Sequence, residues 1–220
     1  MASVGYGLIE TMRVCDGRIP LLERHLARLA RSLTELGLAR PSQDVAALVS
    51  PFAETGDAML RIEVVDGRAT VTVRELPSLD PPAVITASEP HQPYPHKTTE
   101  RDRFADAARE AVVAEADDAL LLTHEGSVAE GTVWSVCWWE GSRLRTPPLA
   151  LGILPGIGRA RVLELAAGEE TRVDRAALAG KSVFLVNAVR GAVPIASLDG
   201  MAVPHDPRTA ELARRFWPES

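Results

Sequence analysis

The sequence contains little cysteine, little lysine and no long apolar segment. Cys15 and Cys137 are its only cysteines. They are too few for a disulfide framework or a metal cage, so two reduced thiols in strands and no metal site are expected. No apolar run approaches the roughly 20 residues that a membrane span needs. The opening MASVGYGLIE has no basic segment followed by an apolar one, which argues against a signal peptide. We therefore expect a soluble, cytoplasmic protein.

An excess of positive charge is also missing. The 220 residues carry 24 Lys and Arg against 30 Asp and Glu, a formal net charge of −6. No basic run with interleaved aromatic residues occurs, so no nucleic-acid partner is expected. With 46% hydrophobic residues, the chain can bury a substantial core.

Hydrophobic periodicity indicates a mixture of helices and strands in the first third of the chain. GLIETMRVCDGRIPL predicts a strand, an Asp16-Gly17 turn and a short second strand. Between Leu21 and Leu38, leucines at three- and four-residue steps predict an amphipathic helix that ends near Gly37. A weaker helix is expected from Asp44 to Glu54. Two alternating strands should follow around Asp66-Gly67, which is a strong hairpin signal.

The proline-rich stretch LPSLDPPAVITASEPHQPYPHK marks a boundary between two lobes. After it we expect a helix from Glu100 to Ala114 and a short helix in GIGRARVLELAAG. Strands are expected in ALLLTHEGSVAEG, WSVCWWEGSRLRTP and SVFLVNAV. The predicted fold class is α+β.

Lys97, in the stretch YPHKTTERDRF, is one of only two lysines in the chain. An exposed charge could be arginine, but an amine that must lose its proton and attack a carbonyl could not, because a guanidinium stays protonated. Lys97 is therefore a candidate Schiff-base lysine, activated by burial or by a nearby cation. The alternative is a solvated lysine at a helix start. The other lysine, Lys181, is interpreted as an ordinary surface residue before a strand.

Three further features could bind a cofactor, and each also has an ordinary structural explanation. Gly156-Ile157-Gly158 opens a helix whose N–H groups suit a phosphate, although such an entrance is more often only a turn. Glu130 interrupts a β-rich stretch and could keep a heterocyclic nitrogen protonated, or be an edge-strand glutamate in water. Arg28 could reach a phosphate or remain on a solvated helix face. With Lys97, these features supply what pyridoxal phosphate requires: an amine, an anion site and a carboxylate.

Four segments resemble, in their order and amino-acid sequence, the class IV (fold type IV) pyridoxal-phosphate enzymes. This family includes branched-chain aminotransferases, D-amino-acid aminotransferases and 4-amino-4-deoxychorismate lyases. The segments are IETMRVCDGRIPLLERHLARLARSLTELG, HKTTERDRF, ADDALLLTHEGSVAEGTVWSVCWWEGSRLRTPPLALGILPGIGR and LVNAVRGAVPI. The resemblance implies a small N-terminal α/β lobe at 1–82, a linker at 83–95 and a larger, β-barrel-like C-terminal lobe at 96–220 that carries the cofactor lysine. It also implies a homodimer.

Carried over by position, the resemblance implies a role for each matching residue. Lys97 would bind pyridoxal 5′-phosphate covalently and move the proton, with Thr11 as a second catalytic candidate. Substrate-binding candidates are Glu10, beside Thr11 on the opening strand, and the arginines Arg101 and Arg190, which could grip carboxylates. The cofactor-binding residues implied in this way are Lys97, Glu130, Arg28, Ile157, Gly158, Ala188, Val189 and Ser135.

The sequence departs from the family pattern at three places. Ser135 and Cys137 stand where the family usually has asparagine and a large apolar residue. Gly158 stands where a threonine hydroxyl is common, so cofactor binding is expected to weaken by roughly one hydrogen bond, ~1 kcal/mol. The sequence also begins close to the first motif, where most relatives have a leading segment, which bears on the first sheet edge and on some substrate contacts.

The amino-acid sequence around Lys97 and from Asn187 to Gly191 most resembles the lyase branch of the family. The expected reaction converts 4-amino-4-deoxychorismate to 4-aminobenzoate and pyruvate, a step towards folate. One alternative is an aminotransferase acting on branched-chain or D-amino acids with the same core residues. A second alternative is a relative that binds the cofactor without turnover.

Overall fold

The computed structural model describes residues 6–77 and 80–218. Half of the stretch on which the signal-peptide expectation rests, residues 1–5, lies outside the described part. The chain divides into two compact units. The first contains residues 6–77, 96–101 and 218, and the second contains residues 80–95 and 102–217. This division differs from the expected one, since part of the expected linker is a strand of the second unit and residues 96–101 belong to the first.

A three-stranded antiparallel sheet in the order β1-β2-β3 forms the centre of the first unit. Its strands are β1 (Gly7–Val14), β2 (Ala58–Val65) and β3 (Arg68–Arg74). The hairpin predicted around Asp66-Gly67 is confirmed. Both residues have positive φ, 50° and 72°, as a two-residue turn that matches the strand twist requires. The short strand expected after Asp16-Gly17 is only an isolated bridge between Cys15 and Arg18, and Pro20 follows, which cannot donate to a ladder.

Helix α1 (Leu22–Glu35) packs on one face of this sheet. Its apolar stripe buries Leu29 and Leu33 against the sheet core, as the leucine periodicity predicts. The expected second helix is divided into α2 (Val45–Val49), capped by the Asp44 side chain, and a 3-10 helix (Ser50–Thr55). The division falls where Pro51 enters, because proline has no N–H to continue the helical bonding.

The second unit contains two five-stranded sheets, in the orders β11-β10-β7-β8-β9 and β13-β12-β4-β5-β6. Within the described residues neither sheet closes on itself, so the expected barrel-like lobe is instead a pair of open sheets. The strands are β4 (Ala83–Thr86), β5 (Asp118–Leu122), β6 (Val128–Gly131), β7 (Ser135–Glu140), β8 (Arg143–Thr146), β9 (Glu169–Glu170), β10 (Val183–Asn187), β11 (Gly191–Pro194), β12 (Ser197–Leu198) and β13 (Met201–Ala202).

Three helices accompany these sheets: α3 (Ala105–Val113), α4 (Ile157–Ala166) and α5 (Pro207–Arg215). The helix expected from Glu100 starts later than predicted, and a 3-10 helix (Asp102–Phe104) precedes it. Residues 97–99 run beside β1 and exchange backbone hydrogen bonds with it, so the chain is still extended immediately before Glu100, and it turns through the 3-10 helix before α3 begins. No helix in the described part of the chain is long and apolar enough to cross a membrane.

Candidate active site

Lys97 is fixed by its own backbone to the edge of β1. The Lys97 carbonyl accepts a hydrogen bond from the Ile9 amide (2.8 Å), and the Thr99 amide donates to the Gly7 carbonyl (2.9 Å). The Gly7 amide donates in turn to Thr99 Oγ1 (2.9 Å). These bonds hold the Lys97 backbone against β1. The side chain therefore extends from a backbone that is fixed to a strand, which suits a catalytic group.

The surroundings of Lys97 favour its neutral form. Burial is the largest cause, and the charges of Arg28 and Arg101 add to it, with a smaller contribution from Arg61. Glu10 acts in the opposite direction. Together they lower the pKa of the Lys97 amine from its ordinary 10.5 to about 7. A large fraction of the amine is then unprotonated at neutral pH, which is the form that attacks a carbonyl and accepts a proton. The alternative of an ordinary solvated lysine does not fit this environment.

A buried cluster of Glu10, His25 and Arg28 lies beside Lys97 in the first unit. Glu10 points from β1 to the face covered by α1, which carries the other two residues. Arg28 grips its carboxylate at both oxygens, with Nε to Oε1 at 2.8 Å and Nη2 to Oε2 at 2.6 Å. His25 Nδ1 lies 2.6 Å from Oε2. Burial opposes the charge of Glu10, but Arg28 and the hydrogen bond with His25 outweigh it and hold the Glu10 pKa at about 2.

This cluster changes the interpretation of two predicted residues. Glu10 was expected to line the substrate side, whereas its carboxylate is 2% exposed and engaged by Arg28 and His25. The solvated alternative for Arg28 is wrong, because the side chain is buried. Thr11 is half-buried on the opposite face of β1, and Arg101 is half-buried in the same unit as Lys97. His25 was not among the sequence candidates.

Glu130 is a buried carboxylate in the second unit. It is 4% exposed on β6, so the alternative of an edge-strand glutamate in water is wrong although β6 is the last strand of its sheet. Oε1 lies 3.0 Å from His91 Nε2, and Oε2 accepts a hydrogen bond from the Leu154 amide (3.2 Å). A carboxylate buried with two donors is a suitable acceptor for a protonated heterocyclic nitrogen.

The entrance of α4 has the properties of an anion site. Gly156 is its extended N-cap, and no side chain caps the helix there. A Cβ at Gly158 would lie 2.8 Å from the Asn187 carbonyl carbon, so glycine allows α4 to approach the end of β10 closely. Ser135 Oγ lies 2.6 Å from where a Cβ on Gly156 would be. Gly158 therefore has a packing reason of its own, and Ser135 sits against the helix entrance beside it.

The turn after β10 is held by its own side chain. Asn187 Oδ1 accepts hydrogen bonds from the amides of Val189 (2.9 Å) and Arg190 (2.8 Å). The expectation that the Val189 amide faces a phosphate is therefore corrected, because that amide is already engaged. Arg190 stacks over the Trp134 ring, 5.0 Å from its centroid, and donates to the Asp80 carbonyl (3.0 Å). Burial, opposed by Asp117 and Asp80, lowers the Arg190 pKa from its ordinary value.

Comparison with known proteins assigns the chain to a family. Residues 7–198 match the family model described as amino-transferase class IV. The chain belongs to this family of pyridoxal-phosphate-dependent enzymes, and its fold is fold type IV.

The relatives of this chain are named for different activities. The chain is 25% identical over 234 residues to an aminodeoxychorismate lyase of Bacillus subtilis, covering 89% of this chain and 78% of that protein. It is 25% identical over 233 residues to a D-alanine aminotransferase of Bacillus licheniformis, covering 90% and 81%. Among solved structures it resembles a hypothetical aminotransferase from Mycobacterium tuberculosis with bound pyridoxal phosphate, with a TM-score of 0.85, 25% identity and coverage of 98% and 90%.

The residues present fit pyridoxal phosphate. Lys97 is an amine whose surroundings favour the neutral form, and Glu130 is a buried carboxylate with room for a further donor among its lone pairs. The uncapped, glycine-flanked entrance of α4 offers backbone amides of the kind that bind phosphate. Sequence reasoning found these three features. It missed His25 and His91, which hold the carboxylates, because a single histidine carries no local signal of its distant partner.

Proposed function

We propose that the protein is a lyase that converts 4-amino-4-deoxychorismate to 4-aminobenzoate and pyruvate. In this reaction a ring C–H bond and the ether C–O bond to the enolpyruvyl group break. The ring becomes aromatic, and the proton lost from the ring carbon is balanced by the one that the leaving enol gains as it becomes pyruvate. The overall reaction needs neither an oxidant nor water.

Bound pyridoxal phosphate would supply an aldehyde for the substrate amine and a ring that withdraws electrons from the carbon beside it. Lys97 Nζ takes the proton from the ring carbon of the substrate, which the lowered pKa of the amine allows at neutral pH. The Glu130 carboxylate would accept the hydrogen of the pyridine nitrogen. Arg28 and the backbone at Ile157 and Gly158 would bind the phosphate, with Ser135 beside the helix entrance.

The substrate carries two carboxylates, which require cations. Arg101 and Arg190 are our candidates, because a guanidinium can grip a carboxylate at two points. Arg101 is one of the charges that lower the Lys97 pKa, which supports a position near the reacting amine. Arg190 is held by Trp134 and Asp80, so its approach to a carboxylate would be a restricted one. Thr11 remains a proposed catalytic residue of the opening strand, and Ala188 a proposed backbone contact.

The observation that carries the proposal is the low pKa of an amine surrounded by arginines. Arg28, Arg101 and Arg61 lower the Lys97 pKa, and Glu10 raises it. Arginine side chains close to the amine suit a phosphorylated cofactor together with a dianionic substrate. The lyase name of the Bacillus subtilis relative adds support, whereas the Bacillus licheniformis relative favours an aminotransferase acting on a D-amino acid.

Product analysis separates these activities. Purified protein saturated with pyridoxal phosphate is incubated with 4-amino-4-deoxychorismate, and 4-aminobenzoate and pyruvate are quantified. We expect equimolar products from the wild type, none from Lys97→Ala, and wild-type yields from the matched control Lys181→Ala. Formation of a 2-oxo acid from D-alanine or a branched-chain amino acid, without 4-aminobenzoate, would establish the aminotransferase instead. Cofactor binding without either product would leave a relative that binds the cofactor without turnover.

We further propose that the protein acts as a homodimer in the cytoplasm and contributes to folate precursor synthesis. The support is the family match, which covers residues 7–198. Light scattering coupled to size-exclusion chromatography tests the first part, with twice the 23.7 kDa chain mass as the expected result.

A further inference from the structure

His91 and Glu130 form a buried side-chain pair within the second unit. Their side chains are 2% and 5% exposed, and His91 Nε2 lies 3.0 Å from Glu130 Oε1. An ionised carboxylate only accepts hydrogen bonds, so Nε2 is the ring nitrogen that carries the hydrogen. The two residues are separated by 39 positions along the chain. The contact is therefore a product of the fold and not of local sequence.

The backbone of His91 is fixed as firmly as its ring. Its amide donates to the carbonyl of Leu122 (2.6 Å), at the end of β5. Glu130 lies on β6, the strand that pairs with β5. Glu130 thus lies on β6, while the loop that carries His91 is tied to the end of the neighbouring strand β5, and the imidazole can fix the direction of the carboxylate.

The second oxygen of Glu130 leads to the entrance of α4. Oε2 accepts from the Leu154 amide (3.2 Å), and the Leu154 carbonyl accepts from the Gly156 amide (2.7 Å). Gly156 is the N-cap of α4. The carboxylate is consequently held from two directions, by a side chain at one oxygen and by the segment that opens the proposed phosphate helix at the other.

We propose that His91 is a positioning residue for the pyridine ring of the cofactor: its hydrogen bond holds the Glu130 carboxylate in the orientation that can receive the ring nitrogen. This inference rests on the proposed role of Glu130. A side chain that loses a hydrogen-bond partner is free to take other orientations. A Glu130 carboxylate turned away from the ring offers no nearby counter-charge to a pyridinium, so loss of the His91 donor weakens the ring as an electron sink.

The ring nitrogen itself supplies the readout. Pyridoxal phosphate labelled with ¹⁵N in the ring is bound to the wild type and to His91→Leu, His91→Gln and His91→Asn. The ¹⁵N chemical shift distinguishes a protonated from an unprotonated ring. The dissociation constant of the cofactor is measured alongside, with thermal unfolding of each cofactor-free variant. His124→Leu is the matched control, because His124 is an exposed histidine in the turn between β5 and β6.

The most specific expectation concerns the length of the side chain at position 91. Glutamine can place an amide N–H near the position of Nε2, whereas asparagine is too short, although both are polar and uncharged. We expect His91→Leu and His91→Asn to shift the ¹⁵N signal towards unprotonated pyridine and to weaken cofactor binding roughly tenfold. His91→Gln should restore most of both properties, and His124→Leu should change neither.

Two different failures can be told apart. If His91→Asn, or His91→Leu where it folds, loses thermal stability but keeps the wild-type ¹⁵N shift, His91 is only a structural residue and the inference is overturned. If Glu130→Gln also keeps the wild-type shift, the proposed role of Glu130 fails with it. A shift that changes in Glu130→Gln but in no His91 variant overturns the His91 inference alone.

Discussion

We predict that the Lys97 side chain lowers the stability of the cofactor-free protein. The pKa of its amine falls from an ordinary 10.5 to about 7, first because of burial and then because of Arg28 and Arg101. Each pKa unit corresponds to about 1.36 kcal/mol, so the lowered pKa corresponds to a penalty of about 5 kcal/mol on the charged amine in the folded state. Replacing the lysine by methionine keeps most of the side-chain length and removes the charge. We therefore expect Lys97→Met to stabilise the cofactor-free first unit by several kcal/mol at pH 6.

The pH dependence of this effect has a definite sign. Below pH 7 the amine is charged in both the folded and the unfolded state, so the folded state carries the full penalty. As the pH rises from about 7 to 10.5, the folded amine becomes neutral while the unfolded one stays charged. The advantage of Lys97→Met should accordingly shrink by about 1.4 kcal/mol for each pH unit in this range.

Amide hydrogen exchange of β1 and β2 is the suitable assay. All four tryptophans lie in the second unit, so their fluorescence does not report on the first unit directly. Lys181→Met is the matched control. Lys181 forms a surface ion pair with Glu140 (2.7 Å), and its loss should cost under about 1 kcal/mol. A Lys97→Met variant no more stable than the wild type at pH 6, or one whose advantage does not change with pH, would refute the reasoning.

The remaining predictions concern single contacts. Glu10→Gln should destabilise the protein by about 3 kcal/mol at pH 7, because the Glu10 pKa is lowered from 4.5 to about 2. This stability is present above pH 4.5 and is lost as the pH falls through about 2, so denaturant titrations of the variant should lack that acid dependence; an unchanged acid profile would contradict it. Gly158→Ala should cost about 1–3 kcal/mol, since its Cβ meets backbone at 2.8 Å, whereas Gly156→Ala meets only a serine hydroxyl that can rotate. Thermal unfolding checks this pair, and equal losses would refute it. Asp44→Ala should cost about 1 kcal/mol in the same assay, because the Asp44 side chain caps two amides of α2; no loss would show that the cap is dispensable.

Local patterns predicted the elements that depend on local physics. The leucine periodicity predicted α1, and the Asp66-Gly67 signal predicted the β2–β3 hairpin, because both are determined by neighbouring residues. The start of the helix after Lys97 was predicted too early. Residues 97–99 are held extended by hydrogen bonds to β1, about 90 positions away in the sequence, and no local pattern reveals such a partner. The C-terminal helix α5 was not predicted, although Asp206 and Pro207 form a recognisable cap and first turn.

The candidate site was predicted in its reactive groups but not in their support. The scarcity of lysine singled out Lys97, and the interruption of a β-rich stretch singled out Glu130. The partners that hold the carboxylates, His25 and His91, were not predicted. Their contacts span 15 and 39 positions and depend on the packing of one element against another. Glu10 was misinterpreted for the same reason, since only the packing of α1 turns its carboxylate inward.

Reduction with borohydride tests the central claim most directly, because it converts a Schiff base between the cofactor and a lysine into a stable bond. The chain offers only two lysines, Lys97 and Lys181, so peptide mass spectrometry can assign the label without ambiguity. We predict one pyridoxyl group for each chain, on Lys97, and none in Lys97→Ala. A pyridoxyl group found on Lys181, or retained in Lys97→Ala, would contradict it.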